Sequence, residues 1–400
     1  MANELSAVTS MSQRPILLDD MLRPLWKWMR YSGIHHGCYS PVEERRVFFI
    51  LRCISTVFIF LLLLNFGVFQ LVQVVIGLTK ESEKITNVYQ NVSTLIVTMI
   101  PFQFMVHSYV QQKQFVQFFK DWNIVEIQFS HCCNRERTKK VAKAIYLSCF
   151  VGISLVLPLT LYTNLKNPDE SAFFSHYEIL QEKFGVYFLS LFYTISMYFI
   201  SVPFLVGEFT VALFFYQAGC MIENLKLQLQ NCSMSLSNQH TIYYLIESPY
   251  RLIWERFESI LHLVNRANKL FGAVMIVNQF FYVCFTCVIF YELIVRYKEC
   301  TFCYLLVFDL TLSISKFIGC SWMISHLYLS FGELKSAVAH LLSKKWHLLS
   351  HEHRNLLSSF LIRLEKEDLA ARPLNMYTVD STNLLSLLTL HISYVIVLLE

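Results

Sequence analysis

Four cysteines, Cys284, Cys287, Cys300 and Cys303, repeat the C-x2-C spacing that supplies thiolates to zinc. If the segment is helical, the residues between Cys287 and Cys300 hold the two pairs about 20 Å apart, too far for one ion. Small polarizable core residues are the reading this geometry favours. His347 and His351 stand one helical turn apart with His353 close by, yet no acidic or cysteine partner is spaced to complete a ligand set. A solvated helix face is the favoured reading there. No glycine-rich phosphate loop, nucleophile elbow or H-E-x-x-H occurs. No catalytic residue, metal or cofactor is therefore expected, and the chain is not expected to be an enzyme.

Two charges deserve a different reading because they lie deep in an apolar stretch. Asp309 and Lys316 are two helical turns apart on one face. Isolated charge in hydrocarbon is costly, so both should face the interior, where they could bracket a polar ligand or satisfy each other. Tyr162, Tyr187, Tyr193 and Tyr304 fall in the outer halves of the apolar stretches. Interfacial anchoring is the ordinary role of such tyrosines. With Phe285, Asp309 and Lys316, they are also the candidates for lining a cavity that takes a small organic molecule.

The elements that must position these residues follow from composition. Of 400 residues, 55% are hydrophobic and only 16% are charged, more apolar surface than a soluble chain can bury. A spanning helix needs about 20 mostly apolar residues. Seven windows qualify, at roughly 53–77, 88–110, 144–163, 184–206, 273–295, 303–326 and 379–399. They are continuous runs without the alternation of a membrane barrel, so an all-α membrane protein with seven transmembrane helices is predicted. Pro101, Pro158 and Pro203 fall inside three of them as kinks rather than breaks. No apolar h-region precedes Cys53, so a cleaved signal peptide is not expected.

Charge gives the direction. The N-terminal segment and the 2–3, 4–5 and 6–7 connections hold 26 of the 33 lysines and arginines, whereas the other three connections hold two each. Positive residues accumulate in cytoplasmic loops, which puts the N-terminus inside and the C-terminus outside. That is the inverse of a G-protein-coupled receptor. Spread by topology in this way, the basic residues point to no nucleic-acid partner; lipid is the surrounding medium.

The outer loops are too short to form an ectodomain, so a ligand site must lie within the bundle. The inner connections are longer and helical in pattern. In one of them Leu252, Ile253, Phe257, Ile260, Leu261 and Val264 recur at three and four, the mark of amphipathic helices that dock on something. The expected organisation is a cytoplasmic N-terminal segment (1–52), helices one to six with cytoplasmic extensions (53–331), an anchor helix (332–376) and a last transmembrane helix (377–400). On that last helix Asn383, Ser386, Thr389, Ser393, Val397 and Glu400 fall within about a third of the circumference, with most leucines elsewhere. Small hydroxyl residues can glue helices together. A stripe running from end to end fits a water-lined pore better.

The C-terminal residues carry a family resemblance. Ser393-Tyr394-Val395-Ile396-Val397-Leu398-Leu399-Glu400 resembles the Thr-Tyr-(five hydrophobic)-Gln-Phe signature of the insect gustatory receptors, with its spacing kept. Tyr377-Thr378-Val379-Asp380 and Asn383-Leu384-Leu385-Ser386 are similar to the family's approach to that helix. Leu22-Arg23-Pro24-Leu25 and Asn265 to Gly272 are weaker echoes. The resemblance implies a plasma-membrane receptor of sensory neurons that assembles as a homo- or heterotetramer and conducts cations when a small-molecule tastant binds. It places the last helix at the pore and the inner helices in a shared base.

Three departures qualify it. Ser393 replaces Thr, Val395 stands where the sugar-sensing branch carries Glu, and Glu400 replaces Gln with no Phe following. The second favours a bitter-type or other non-sugar ligand. The third would place a ring of carboxylates at the outer mouth, favourable to cations, unless the chain is cut short there. The alternatives are a family member without channel activity of its own, or a G-protein-coupled receptor should the topology be reversed.

Overall fold

The computed structural model describes residues 46–79, 85–129, 135–166, 178–238, 249–298, 304–367 and 369–380, and positions 386, 389, 390, 393 and 396 of the last segment. Its helices are α1 (Arg46–Thr79), α2 (Ile85–Val110), α3 (Gln112–Gln128), α4 (Arg135–Lys166), α5 (Glu178–Asn238), α6 (Pro249–Lys298), α7 (Tyr304–Lys344) and α8 (His351–Lys366). No strand occurs among the described residues. Thr56–Ile76, Glu136–Tyr162, Leu205–Cys232, Pro249–Ile294 and Val307–Lys344 are each long and apolar enough to cross a bilayer. Windows 88–110 and 184–206 lie on α2 and the outer part of α5.

The helices divide into a centre and a periphery. In α5 the apolar stretch is 89% buried, against 27% in α1 and 29% in α4. Ile54, Phe58, Leu61, Val68 and Val72 of α1 are exposed apolar residues, the lipid-facing stripe that a helix with no aqueous face must carry. Pro101 and Pro158 sit within α2 and α4, which continue through them. The described departure within α5 is Gly185, where φ of 78° interrupts the helix. Only a residue without Cβ adopts that backbone at little cost.

Below the bundle, α5, α6 and α7 run on without a break, merging windows and inner connections into helices of 61, 50 and 41 residues, the first kinked at Gly185 near its outer end. This happens because their apolar face persists beyond the membrane. Ile253, Phe257, Ile260, Leu261 and Val264 are all buried, while Leu252 at 40% exposure falls off the stripe. Residues 332–376 comprise the end of α7, a 3-10 turn at Trp346–Leu348, α8 and a loop containing the turn Pro373–Asn375. Ser350 caps α8, its side chain accepting from the His353 backbone N–H, the usual signature of a helix start. Where α3 meets this layer, Phe115, Phe118, Phe119, Trp122, Phe214 and Phe271 interlock with centroids 5.1 to 6.4 Å apart. Arg266 of α6 pairs with Asp121 of α3 at its edge.

Candidate functional site

The deep lysine of α7 has a partner on another helix. Lys316 is only 3% exposed, and its Nζ lies 2.9 Å from Glu208 Oε2 of α5. Asp309, two turns away, is half-buried and within electrostatic reach of Glu292 on α6. The two residues expected to bracket a ligand or satisfy each other thus turn toward different helices. A lysine this buried needs a carboxylate beside it, and Glu208 stands just past the inner edge of window 184–206, where a search for charge within windows stops short. A cavity of about 300 Å³ borders Lys316, with Cys149, Leu205, Phe209, Leu312 and Trp322 in its wall, a volume that suits a small organic molecule.

Glu208 reaches further than its ion pair. It acts electrostatically on the phenols of Tyr282 in α6 and Tyr377 in the loop before the last helix. Tyr282 stacks on Phe317, the neighbour of Lys316, at 4.3 Å and 8° between planes. The ion pair joins α5 to α7, and the charge of Glu208 is felt on α6 and on the approach to the last helix.

That approach is latched to α6. Asn268 donates from Nδ2 to the Ala370 carbonyl at 2.9 Å, and its Oδ1 accepts from the Arg372 backbone N–H at 2.9 Å. Val379 N–H closes the loop onto the Ala371 carbonyl at 3.0 Å. One turn after Asn268, Gly272 lets the loop backbone press against the helix: a Cβ there would meet the Leu374 nitrogen at 2.8 Å. Leu374 itself holds φ of 48°, a left-handed backbone that costs an L-residue about 1–2 kcal/mol. On the other side of the same turn, His107 of α2 donates from Nε2 to the Leu270 carbonyl at 2.6 Å.

Five positions of the last segment are described, and all five are exposed. Ser386, Thr389 and Ser393 are helical and exposed, as are Leu390 and Ile396 beside them. Ser393 Oγ donates to the Thr389 carbonyl at 2.9 Å, one turn back along the stripe. Asn383, Tyr394, Val397 and Glu400 lie outside the described residues. Of the candidate cavity residues, Tyr162 and Tyr187 are 60% and 80% exposed, the position of an anchor at the bilayer interface. Phe285 is buried with Ile96 and Ile289 in a small outer core. The side chains of Tyr193 and Tyr304 lie outside the described residues, as do Cys300 and Cys303. On α6, Cys284 is half-buried and Cys287 buried, and His347 and His351 are exposed.

In the cytoplasmic layer α8 is fastened to α6 by a two-pronged pair. Arg363 donates from Nε and Nη2 to the two carboxylate oxygens of Glu258 at 2.9 and 3.2 Å, and Trp254 Nε1 adds a third donor at 3.2 Å. The Arg363 hydrogen bond holds the Glu258 carboxyl below its ordinary value of 4.5. A carboxylate depressed in the folded state contributes stability that is present above the unfolded value and lost as pH falls through the folded one. Arg363→Met is expected to cost about 0.5–1 kcal/mol at neutral pH, because both side chains are about a third exposed and water screens them. Thermal unfolding of the purified protein at falling pH should show the difference from wild type shrinking below that value; a gap unchanged in acid would refute the assignment.

A family model described as "7tm Chemosensory receptor" matches residues 22–400 of the chain. No curated protein matches it. Among solved structures, the chain is similar to the insect olfactory receptor OR5 from Machilis hrabei in complex with eugenol, at 15% identity and a TM-score of 0.69, covering 96% of this chain and 98% of that one. It is also similar to the structure of the same receptor described without eugenol, at 14% identity and a TM-score of 0.63 with the same coverage. The fold is thus the all-α, seven-helix membrane fold that the apolar windows predict.

Proposed function

The chain belongs to the 7tm chemosensory receptor family, and from that premise we propose that it is a gustatory-type receptor acting as a ligand-gated cation channel in the plasma membrane of sensory neurons. Four copies, identical or mixed, surround a pore lined by Asn383, Ser386, Thr389, Ser393 and Val397 and ending at Glu400. Residues 53–331 carry helices one to six, 332–376 complete a shared cytoplasmic base, and 377–400 form the pore helix. The observation that carries this reading is the exposure of Ser386, Thr389 and Ser393, three described positions along the polar stripe of the last helix. Hydroxyls turned to hydrocarbon are unfavourable, whereas hydroxyls turned to a water-filled axis among partner copies are not.

A small organic ligand binds the open arrangement of the bundle better than the closed one. Moving a population from almost all closed to almost all open takes about 5.5 kcal/mol of differential affinity, which four linked sites share. The inner junction gives that shift a route, since Glu208, Lys316, Tyr282 and Asn268 tie the bundle to the loop that leads into the pore helix. Val395, in place of the Glu of the sugar-sensing branch, supports a bitter-type or other non-sugar ligand. The likeness to an olfactory receptor favours, as a second reading, a volatile ligand.

The test is electrical. Cells expressing this chain alone should pass cation current when given members of a panel of small organic tastants and volatile phenols, eugenol included. Thr389→Cys should become sensitive to a charged thiol reagent, losing about 90% of its current, whereas Leu388→Cys on the opposite side of the helical repeat should keep it. Equal modification at both positions would remove the last helix from the pore.

A further inference from the structure

Beneath the membrane, Cys220 and Glu223 stand one turn apart on α5 and face His326 of α7. Cys220 is 1% exposed and His326 9%. Their ligand atoms all lie within 4.8 Å of one another. We propose that these three side chains form a site for a borderline-soft divalent cation of the zinc class, which staples α5 to α7 at the cytoplasmic edge of the bundle. This goes beyond the receptor reading and does not depend on it.

The geometry separates a metal site from the other chemistry these residue types can do. A nucleophilic cysteine needs the imidazole between thiol and carboxylate, each bonded to a different ring nitrogen. Here both converge on one nitrogen: Cys220 Sγ is 3.8 Å and Glu223 Oε1 3.7 Å from His326 Nε2. No relay can pass through a ring used that way. A tetrahedral ion with sulfur at about 2.3 Å and nitrogen or oxygen at about 2.0–2.1 Å spaces its ligands about 3.3–3.6 Å apart. The nitrogen is thus within a few tenths of an ångström of its coordinated spacing to both the sulfur and the oxygen before any ion arrives, and a dication matches the charge of one thiolate and one carboxylate.

The surroundings hold this arrangement in place. Gly219 permits the close approach of α5 and α7 on which it depends; a Cβ there would stand 2.9 Å from His326 Cδ2 and 3.1 Å from the Leu327 backbone. Tyr216 lies against the imidazole at 4.7 Å. Arg137 Nη1 holds the Glu223 carboxylate by both oxygens, Oε2 at 3.4 Å and Oε1 at 3.5 Å, which orients it; the ion would take Oε1 in place of the longer of the two bonds. Thr138 Oγ1 lies 3.9 Å from Cys220 Sγ while donating to Gln217 Oε1 at 2.7 Å. Ligands supported by such neighbours bind more tightly than bare ones. The fourth position is left to water.

Cobalt(II) is the probe, because a thiolate-bound tetrahedral cobalt absorbs where the free ion does not. The full chain, purified in detergent and stripped with chelator, should bind one cobalt per chain with a sulfur-to-cobalt charge-transfer band that zinc abolishes. Cys220→Ser should lose that band, and Glu223→Gln should weaken binding by about tenfold or more. Cys287→Ser, a buried cysteine outside the cluster, should behave as wild type. The proposal is overturned if the wild-type chain gives no such band at stoichiometric cobalt, or if Cys220→Ser keeps it. Because the wild-type titration alone decides the first point, a variant that fails to fold leaves the proposal testable.

Discussion

Lys316→Met is expected to destabilise the folded chain by about 3–5 kcal/mol, the usual cost of removing one partner of a buried ion pair. The loss comes from what is left behind: Glu208, whose side chain is 13% exposed, would stand charged near Cys320 and Tyr282 with no cation beside it. Glu208→Gln should cost a similar amount by stranding the lysine. Lys316→Met combined with Glu208→Leu should recover most of the loss, since an apolar pair of similar volume is often as stable as the ion pair it replaces. Thermal unfolding in detergent and the fraction of protein reaching the cell surface are the measurements. Single variants as stable as wild type would show that the two charges do not depend on each other. Recovery of stability in the double variant without recovery of ligand-evoked current would assign the pair to gating rather than to folding.

Residues that reveal themselves by periodicity are legible in the sequence. The inner stretch of α6 could be read because Ile253, Phe257, Ile260, Leu261 and Val264 repeat at helical spacing, and burial follows from that spacing whatever the partner. Helix number and membrane character follow from apolar length in the same local way. Pairings between helices have no such local trace. Glu208 and Lys316 are more than a hundred residues apart, and Glu208 lies just beyond the window in which charge looks anomalous. Cys220 and Glu223 show one helical spacing, but the imidazole that completes the cluster arrives from α7. The four-cysteine pattern is visible in the sequence, where helical spacing argues against one ion; the Cys, Glu and His set leaves no such pattern and is brought together only in three dimensions. Asp309 and Lys316 illustrate the limit most directly, since a shared helical face says which way two side chains point and not which of the neighbouring helices each will meet.

Asn268 is where this limit bears most on function, because its two partners are backbone groups in the loop that leads to the last helix. Asn268→Leu, similar in volume, should remove both hydrogen bonds and leave the Ala370 carbonyl and the Arg372 N–H without partners. Each buried orphan costs about 1–3 kcal/mol, so a loss of roughly 2–4 kcal/mol is expected. Asn268→Asp keeps the acceptor for Arg372 N–H and loses only the donor to Ala370, and should fall between the two. Gly272→Ala attacks the same latch by bulk, since its Cβ would press on the Leu374 nitrogen at 2.8 Å and the loop must shift away, at about 1–3 kcal/mol. The three variants act on one contact by different means, so under the proposed channel function they should share a phenotype: protein that still reaches the membrane but needs more ligand to open, in the order Asp, then Ala, then Leu. Proteolysis of the 370–380 loop should rise in the same order. If Asn268→Leu opens at wild-type ligand concentrations while the loop becomes sensitive to protease, the latch holds the fold together and has no part in transmitting the ligand's signal to the pore.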